Sequence, residues 1–157
     1  MLKGPVEAVI FDMDGLLIDS EAIYLKAMQA AARTVGREMS LEFCHSMVGV
    51  PRAECNDMIR ELYGPDFDLV DFRGHYGRHV ESFLAEGVPV KPGVVELLGW
   101  LHERGLPRAV ASSAIRSTIE SHLGRAGLLE RFDAYVGRDD VARPKPAPDI
   151  YLEAARR

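Results

Sequence analysis

The sequence is poor in everything that builds disulfide frameworks, zinc sets, membrane spans or nucleic-acid grips. Its 157 residues contain two cysteines, Cys44 and Cys55. Two thiols make neither a disulfide framework nor a zinc set, so a reducing, cytoplasmic interior is the expected setting. Both read as small apolar fillers of a helical region. The single tryptophan, Trp100, falls between the stripe positions of its helix and reads as packing. No apolar run approaches the ~20 residues that cross a bilayer, so no membrane partner is expected. The opening Met1-Leu2-Lys3-Gly4-Pro5 does not read as a signal peptide, because the apolar segment beyond it runs directly into acids. There is no basic block, and the net charge is −5, which argues against a nucleic-acid partner. No internal repeat or low-complexity segment is present, and nothing in the pattern sets an oligomeric state.

What is present is the composition of an ordinary globular protein, 47% apolar and 27% charged. The length suffices for one domain, or for a core with a small appended module. Glu7 to Phe11 reads as a strand covered on both faces, with β-branched Val9 and Ile10. It ends in Asp12-Met13-Asp14-Gly15. Two carboxylates one residue apart thus sit at a strand's carboxyl tip, where open α/β sheets place their chemistry. Such a pair can divide phosphoryl transfer: one acid attacks phosphorus, the other carries protons and helps seat a metal ion.

Ser20 is expected to cap a helix to about Val35, with Tyr24, Ala27, Met28, Ala31 and Val35 on one face and Gly36 ending it. Ser40 caps a short helix through Met47. Pro51 opens another that Gly64 closes. A helical piece from about Asp68 to Ala85 is interrupted by Gly74 and Gly77. Residues 18–88 therefore read as an all-helical insertion, a cap, between two parts of a core at 1–17 and 89–157.

After Pro92-Gly93, the residues Val94, Leu97, Leu98 and Leu101 form a helical stripe ending at Gly105. Pro107 to Ala111 is a strand stopping at Ser112-Ser113. Ile115, Ile119, Leu123 and Ala126 mark the next helix, closed by Gly127. Ala134 to Val136 is a third strand, and Asp149 begins a last helix. This alternation implies an α/β fold with a doubly wound parallel sheet. The last helix ends without a cap signal, and three strands with open edges make a poor sheet. The expectation is that C-terminal strands of the domain are missing from this chain. The competing expectation is a short protein whose open edge a partner covers.

Four blocks converge on a known family. Asp12 to Glu21, reading DMDGLLIDSE, resembles the first motif of the haloacid dehalogenase-like hydrolases, in the branch of β-phosphoglucomutase and small sugar-phosphate or phosphoglycolate phosphatases. Val110-Ala111-Ser112-Ser113 resembles the second motif, Lys145-Pro146-Ala147-Pro148-Asp149 the third, and the helical insertion the family's small cap. The family's fourth motif, an acidic pair completing a magnesium site, would fall beyond Arg157.

The expected roles follow. Asp12 is the nucleophile and gives an oxygen to Mg²⁺. Asp14 is the general acid and base, and its backbone carbonyl is, by resemblance, a metal ligand. An EF-hand reading of the same acids fails, because its fifth, sixth and twelfth positions hold Leu16, Leu17 and Ile23. Dehalogenation on the same fold has no use for a second acid at Asp14. The Ser112 hydroxyl, with the amides of Ser113 and Ala114 at a helix start, is expected to meet phosphate oxygens, with Gly15 beside them. Lys145, held in a proline-stiffened loop, reaches back to balance Asp12 and phosphate. The family usually has glycine where Pro144 stands. Gly49-Val50-Pro51-Arg52 resembles the cap loop whose arginine grips a second phosphate in the mutase. Glu21 and Tyr24 lie one turn apart and can face the cleft. Tyr24 replaces the mutase's histidine, which favours a phosphatase. The five histidines show no ligand spacing. The expected activity is Mg²⁺-dependent hydrolysis of a small phosphorylated metabolite through an aspartyl phosphate. The alternatives are a phosphomutase and, given the absent fourth motif, a catalytically silent interaction module.

Overall fold

The structure is a computed structural model that describes residues 5–157. The expectation drawn from Met1 to Gly4 lies outside the described residues. The chain divides into two compact units, Met1–Ser20 with Gly87–Arg157, and Glu21–Glu86.

The first unit is α/β. Its sheet holds β1 (Val9–Phe11), β2 (Arg108–Ala111) and β3 (Ala134–Val136) in the order β1-β2-β3. Both pairings are parallel, with Ile10 opposite Ala109 and Val110 opposite Tyr135. The central strand reads as a short apolar run because it is covered on both sides; Val110 and Ala111 are fully buried. β1 starts at Val9, not at Glu7. Glu7 and Ala8 are exposed, and the ladder opens with the Val9 N–H donating to the Pro107 carbonyl at 2.9 Å.

Three helices complete this unit: α5 (Val94–Glu103), α6 (Arg116–Arg125) and α7 (Asp149–Arg156). The last packs on all three strands. Its Ile150 and Ala154 close a cluster with Ala109, Ala111 and Val136. The alanines of β2 are small enough to let a helix sit close to the sheet. On α5 the buried stripe is Val94, Leu98 and Leu101; Leu97 is exposed, contrary to the periodicity reading. Trp100 is likewise a surface residue rather than packing. It is 48% exposed and carries the Arg104 guanidinium 3.8 Å from its ring centre. The indole here shelters an arginine instead of filling a core.

The second unit is helical: α1 (Ser20–Thr34, whose first residue belongs to the α/β unit), α2 (Leu41–Ser46), α3 (Arg52–Tyr63) and α4 (Leu69–Ala85). Gly36, at φ +69°, ends α1, and the Arg37 N–H returns to the Ala32 carbonyl at 2.9 Å. Ser40 caps α2 by accepting from the Phe43 N–H, and Asp68 caps α4 by accepting from Val70 and Asp71. Contrary to expectation, α4 runs unbroken through Gly74 and Gly77. Two glycines weaken a helix by roughly 1 kcal/mol each; burial of Leu69, Phe72 and Leu84 outweighs that. The unit's core gathers Ile59, Phe72, Leu69, Met39 and Met47 around Cys44 and Cys55, which are buried free thiols.

Among the described residues no helix is long and apolar enough to cross a membrane.

Candidate active site

The site grows from the ends of strands. β1 stops at Phe11, and the chain turns over Met13, which is wholly buried. The Leu17 N–H donates to the Met13 carbonyl at 2.9 Å, and the Gly15 N–H to the Ile18 carbonyl at 2.9 Å. Gly15 takes φ +77°, which a side chain would strain. This tight turn sinks Met13 and leaves the flanking acids accessible: the Asp12 side chain is half exposed and Asp14 is exposed.

Lys145 arrives from 133 residues away and places its Nζ 2.5 Å from Asp12 Oδ1. The same ammonium donates to the Ala111 carbonyl at 2.9 Å. One cation therefore bridges the carboxyl ends of β1 and β2. Burial alone would pull the lysine pKa down; Asp12 and Tyr151 outweigh it and hold the ammonium above its ordinary value. The Tyr151 ring lies 5.0 Å from the Nζ. Nothing in the sequence marked Tyr151 beyond its place in the first turn of α7.

Asp14 is held differently. Ser20 Oγ donates to Asp14 Oδ1 at 2.5 Å. Ser20 was read as a helix cap; it is the first residue of α1, buried, and its hydroxyl serves Asp14 instead. Beside it, Lys91 pairs with Asp19 at 2.8 Å.

Ser112 follows directly on β2 and is buried, its N–H donating to the Val136 carbonyl at 3.0 Å. Ser113 is exposed. The expectation for Ala114 and the helix start needs correction. The Ala114 N–H donates to Ser112 Oγ at 3.0 Å, closing a local turn. α6 begins only at Arg116, and that N–H donates to Asp139 Oδ1 at 2.9 Å. A carboxylate of this chain already sits at the helix N-terminus expected to meet phosphate. The loop after β3 fixes this arrangement. The Arg138 N–H donates to the Ala114 carbonyl at 2.9 Å, and the Gly137 N–H to Asp140 Oδ2 at 2.8 Å. A Cβ on Gly137 would lie 2.7 Å from the Arg116 nitrogen and 2.8 Å from the Ala114 oxygen. Glycine is therefore required by close backbone approach. Sequence reasoning missed Asp139 because its partner is a backbone amide 23 residues away.

Glu21 and Arg52 belong to the helical unit. They line a cavity of about 330 Å³ there, together with Tyr24, Arg73 and Tyr76 over a floor that includes Met28, Met47 and Cys55. Arg52 is exposed, and Glu21 lies 3.9 Å from the His45 ring nitrogen.

Among the described residues no group of three or more His, Cys, Asp or Glu is placed to hold a metal. The Asp12 carboxylate and the Asp14 backbone carbonyl, the ligands the resemblance implies, remain as hard oxygen donors. That set fits Mg²⁺, which takes one or two carboxylates and leaves its other positions to water and phosphate. It does not make a closed cage.

A sequence model of haloacid dehalogenase-like hydrolases matches residues 9–157. The chain belongs to that family. It is 31% identical over 147 residues to a phosphorylated carbohydrates phosphatase of Thermotoga maritima, covering 94% of this chain and 68% of the relative. It is 32% identical over 149 residues to a fructose-1-phosphate phosphatase of Escherichia coli, covering 95% of this chain and 78% of the relative. A HAD family hydrolase from Deinococcus radiodurans, solved with bound phosphate and sodium, superposes with a TM-score of 0.84 at 28% identity, over 98% of this chain and 68% of that one. The parallel sheet is the one these hydrolases share, and the phosphatases among the relatives mark the chain as a phosphatase-type hydrolase.

Proposed function

We propose that this hydrolase cleaves a small phosphorylated metabolite, of sugar-phosphate or short-acid-phosphate type, through an aspartyl phosphate on Asp12. The observation that carries the reading is Lys145 Nζ, 2.5 Å from Asp12 Oδ1 and 2.9 Å from the Ala111 carbonyl. A lysine so placed restrains the nucleophile and brings a positive charge to the strand ends, where a phosphate would dock. The phosphatase names of the two relatives support the substrate class.

In this reading an Asp12 oxygen attacks phosphorus, the new O–P bond forms, and the ester P–O bond breaks. Asp14 gives its proton to the leaving alkoxide. It then takes one from the water that attacks the acyl phosphate, releasing inorganic phosphate and restoring Asp12. Ser20 engages Asp14 Oδ1, which leaves the other oxygen for the proton. Ser112 and Ser113 supply donors to the phosphate oxygens. Asp12 and Asp14 would hold Mg²⁺, which when bound offsets negative charge on the phosphoryl group. The helical unit, acting as the cap, supplies Glu21, Tyr24 and Arg52 to choose the substrate. Tyr24 in place of the mutase-branch histidine favours hydrolysis over phosphoryl return. A reducing interior suits the two unpaired, buried thiols.

The test is phosphate release from a panel of phosphorylated metabolites with Mg²⁺ and with chelator. Release that depends on Mg²⁺ and disappears in Asp12→Asn supports the reading. Undiminished release from Asp12→Asn overturns it.

A further inference from the structure

The pairing of β2 with β3 does not stop where the strands do. Ala111 opposite Val136 is the last pair of the parallel ladder. Beyond it the Ser112 N–H donates to the Val136 carbonyl at 3.0 Å, the Arg138 N–H to the Ala114 carbonyl at 2.9 Å, and the Arg116 N–H to Asp139 Oδ1 at 2.9 Å. These bonds fall on residues 112, 114 and 116, the two-residue repeat of an extended strand. In the last of them a side-chain carboxylate stands where a backbone carbonyl would. Gly137 makes room for it, since a Cβ there would lie 2.7 Å from Asp139 Oδ1. The loop that carries Asp139 is itself tied down. Asp140 accepts from the Gly137 N–H at 2.8 Å, from Arg157 Nη2 at 2.8 Å and from Arg116 Nη1 at 3.4 Å.

The segment fastened in this way is the one that meets phosphate in the proposed reaction. Ser112 is buried, and its Oγ accepts from the Ala114 N–H at 3.0 Å. A hydroxyl that accepts there keeps its own proton for another acceptor. The position of Ala114 therefore sets the direction of the Ser112 hydroxyl. Arg138 holds Ala114 by its carbonyl, and Asp139 holds the chain two residues further on. Packing does little of this work, because Ser113 and Ile115 are exposed. The Arg116 N–H opens α6 and has no acceptor inside that helix, so the carboxylate satisfies an orphan donor. An ionised acceptor makes that bond stronger than a neutral one. Asp139 is exposed, so shortening it opens no cavity.

We propose that Asp139 is a positioning residue for the phosphate-facing loop: through the Arg116 N–H it supplies the outermost bond of the extended β2–β3 ladder and so keeps Ala114 against Ser112 Oγ. Asp139 does not itself touch the substrate. The inference deepens the phosphatase reading and rests on it for the role of Ser112 and Ser113.

Amide exchange and phosphate binding, both on the full chain, test it. In Asp139→Ala the Ala114 and Arg116 amides should exchange at least about tenfold faster, while the amides of β2 keep their wild-type rates. The dissociation constant for inorganic phosphate, read from the Ser113 amide signal with Mg²⁺ present, should rise at least about tenfold in the same variant. Asp139→Asn keeps an oxygen acceptor for the Arg116 N–H, and both readouts should stay within about threefold of wild type. Unchanged exchange at Ala114 in Asp139→Ala, or unchanged phosphate affinity, overturns the proposal. Equal losses in the alanine and asparagine variants also overturn it, because charge and not the hydrogen bond would then be at work. The two readings fail separately. Turnover lost in Asp12→Asn with phosphate affinity untouched in Asp139→Ala sinks the positioning role alone. Turnover kept in Asp12→Asn sinks the aspartyl-phosphate reading, and the exchange rates still decide whether Asp139 holds the loop.

Discussion

In the α/β unit the acids Asp12 and Asp14 each meet a donor at 2.5 Å, whereas in the helical unit the guanidinium of Arg73 is met by a neutral amide. In the first arrangement each acid has its own fixed partner. Lys145 offsets Asp12, Ser20 orients Asp14, and the backbone carbonyl of Ala111 holds the lysine in place. The second keeps excess positive charge over an apolar floor. The two units are built accordingly. The strand ends carry polar groups fixed by partners distant in sequence, while the helical unit is an apolar cluster around Phe72 and Ile59 with its charges at the rim. The difference separates chemistry from selection. Changes to the two acids at the end of β1 should remove turnover and leave the fold intact. Changes in the helical core should loosen the fold and leave the reacting groups unaltered.

The largest expected effect is from Asp12→Asn. Turnover should fall by at least about 10³-fold with the thermal midpoint little changed, since the group removed acts in the chemical step. Phe72→Ala comes next and inverts the pattern. Phe72 is fully buried, so unfolding free energy should drop by about 3–5 kcal/mol. Denaturant titration measures it. A smaller loss is expected for Gly137→Ala, where the added methyl meets backbone atoms at 2.7 and 2.8 Å. About 1–3 kcal/mol should be lost. Phosphate affinity should weaken with it, because the clash falls on the loop carrying Ser112 to Arg116.

The smallest effects are set by pH. The Lys145 pKa is raised in the folded chain, after burial is outweighed by Asp12 and Tyr151. Its contribution is therefore complete below the unfolded value of about 10.4 and is lost as pH rises through the higher folded value. Asp140 is shifted the other way. Its desolvation is outweighed by the Gly137 N–H, Arg157 and Arg116, so its pKa is lowered. Stability from Asp140 is present above the unfolded value of about 3.9 and fades as pH falls toward the lower folded one. Asp140→Asn should flatten that acid limb in a melting-temperature profile. An unchanged limb would assign it to other carboxylates.

The sequence revealed elements whose signals are local. Ser40 caps its helix, Gly36 and Gly64 end theirs, and the three strands lie where short apolar runs predicted them. What it hid depends on distant partners. Gly74 and Gly77 look like breaks because propensity is local, while the burial that carries α4 through them is tertiary. Leu97 fits a stripe by periodicity, yet the covered arc of α5 is narrower than its apolar one. At the site the acids and Lys145 were legible from motif and spacing. Ser20 as Asp14's donor was not, since a serine at a helix start has a cap reading that needs no partner. Asp139 at the N-terminus of α6 was not legible either, because a carboxylate that binds a backbone amide leaves no complementary residue to find.

The most direct test of the account is where the phosphoryl group rests during turnover. A single-turnover reaction with a hydrolysed sugar phosphate, quenched in acid and reduced with borohydride, converts an aspartyl phosphate to homoserine. The account predicts homoserine at position 12 and nowhere else. Turnover that leaves Asp12 as aspartate, or marks another carboxylate, would contradict it.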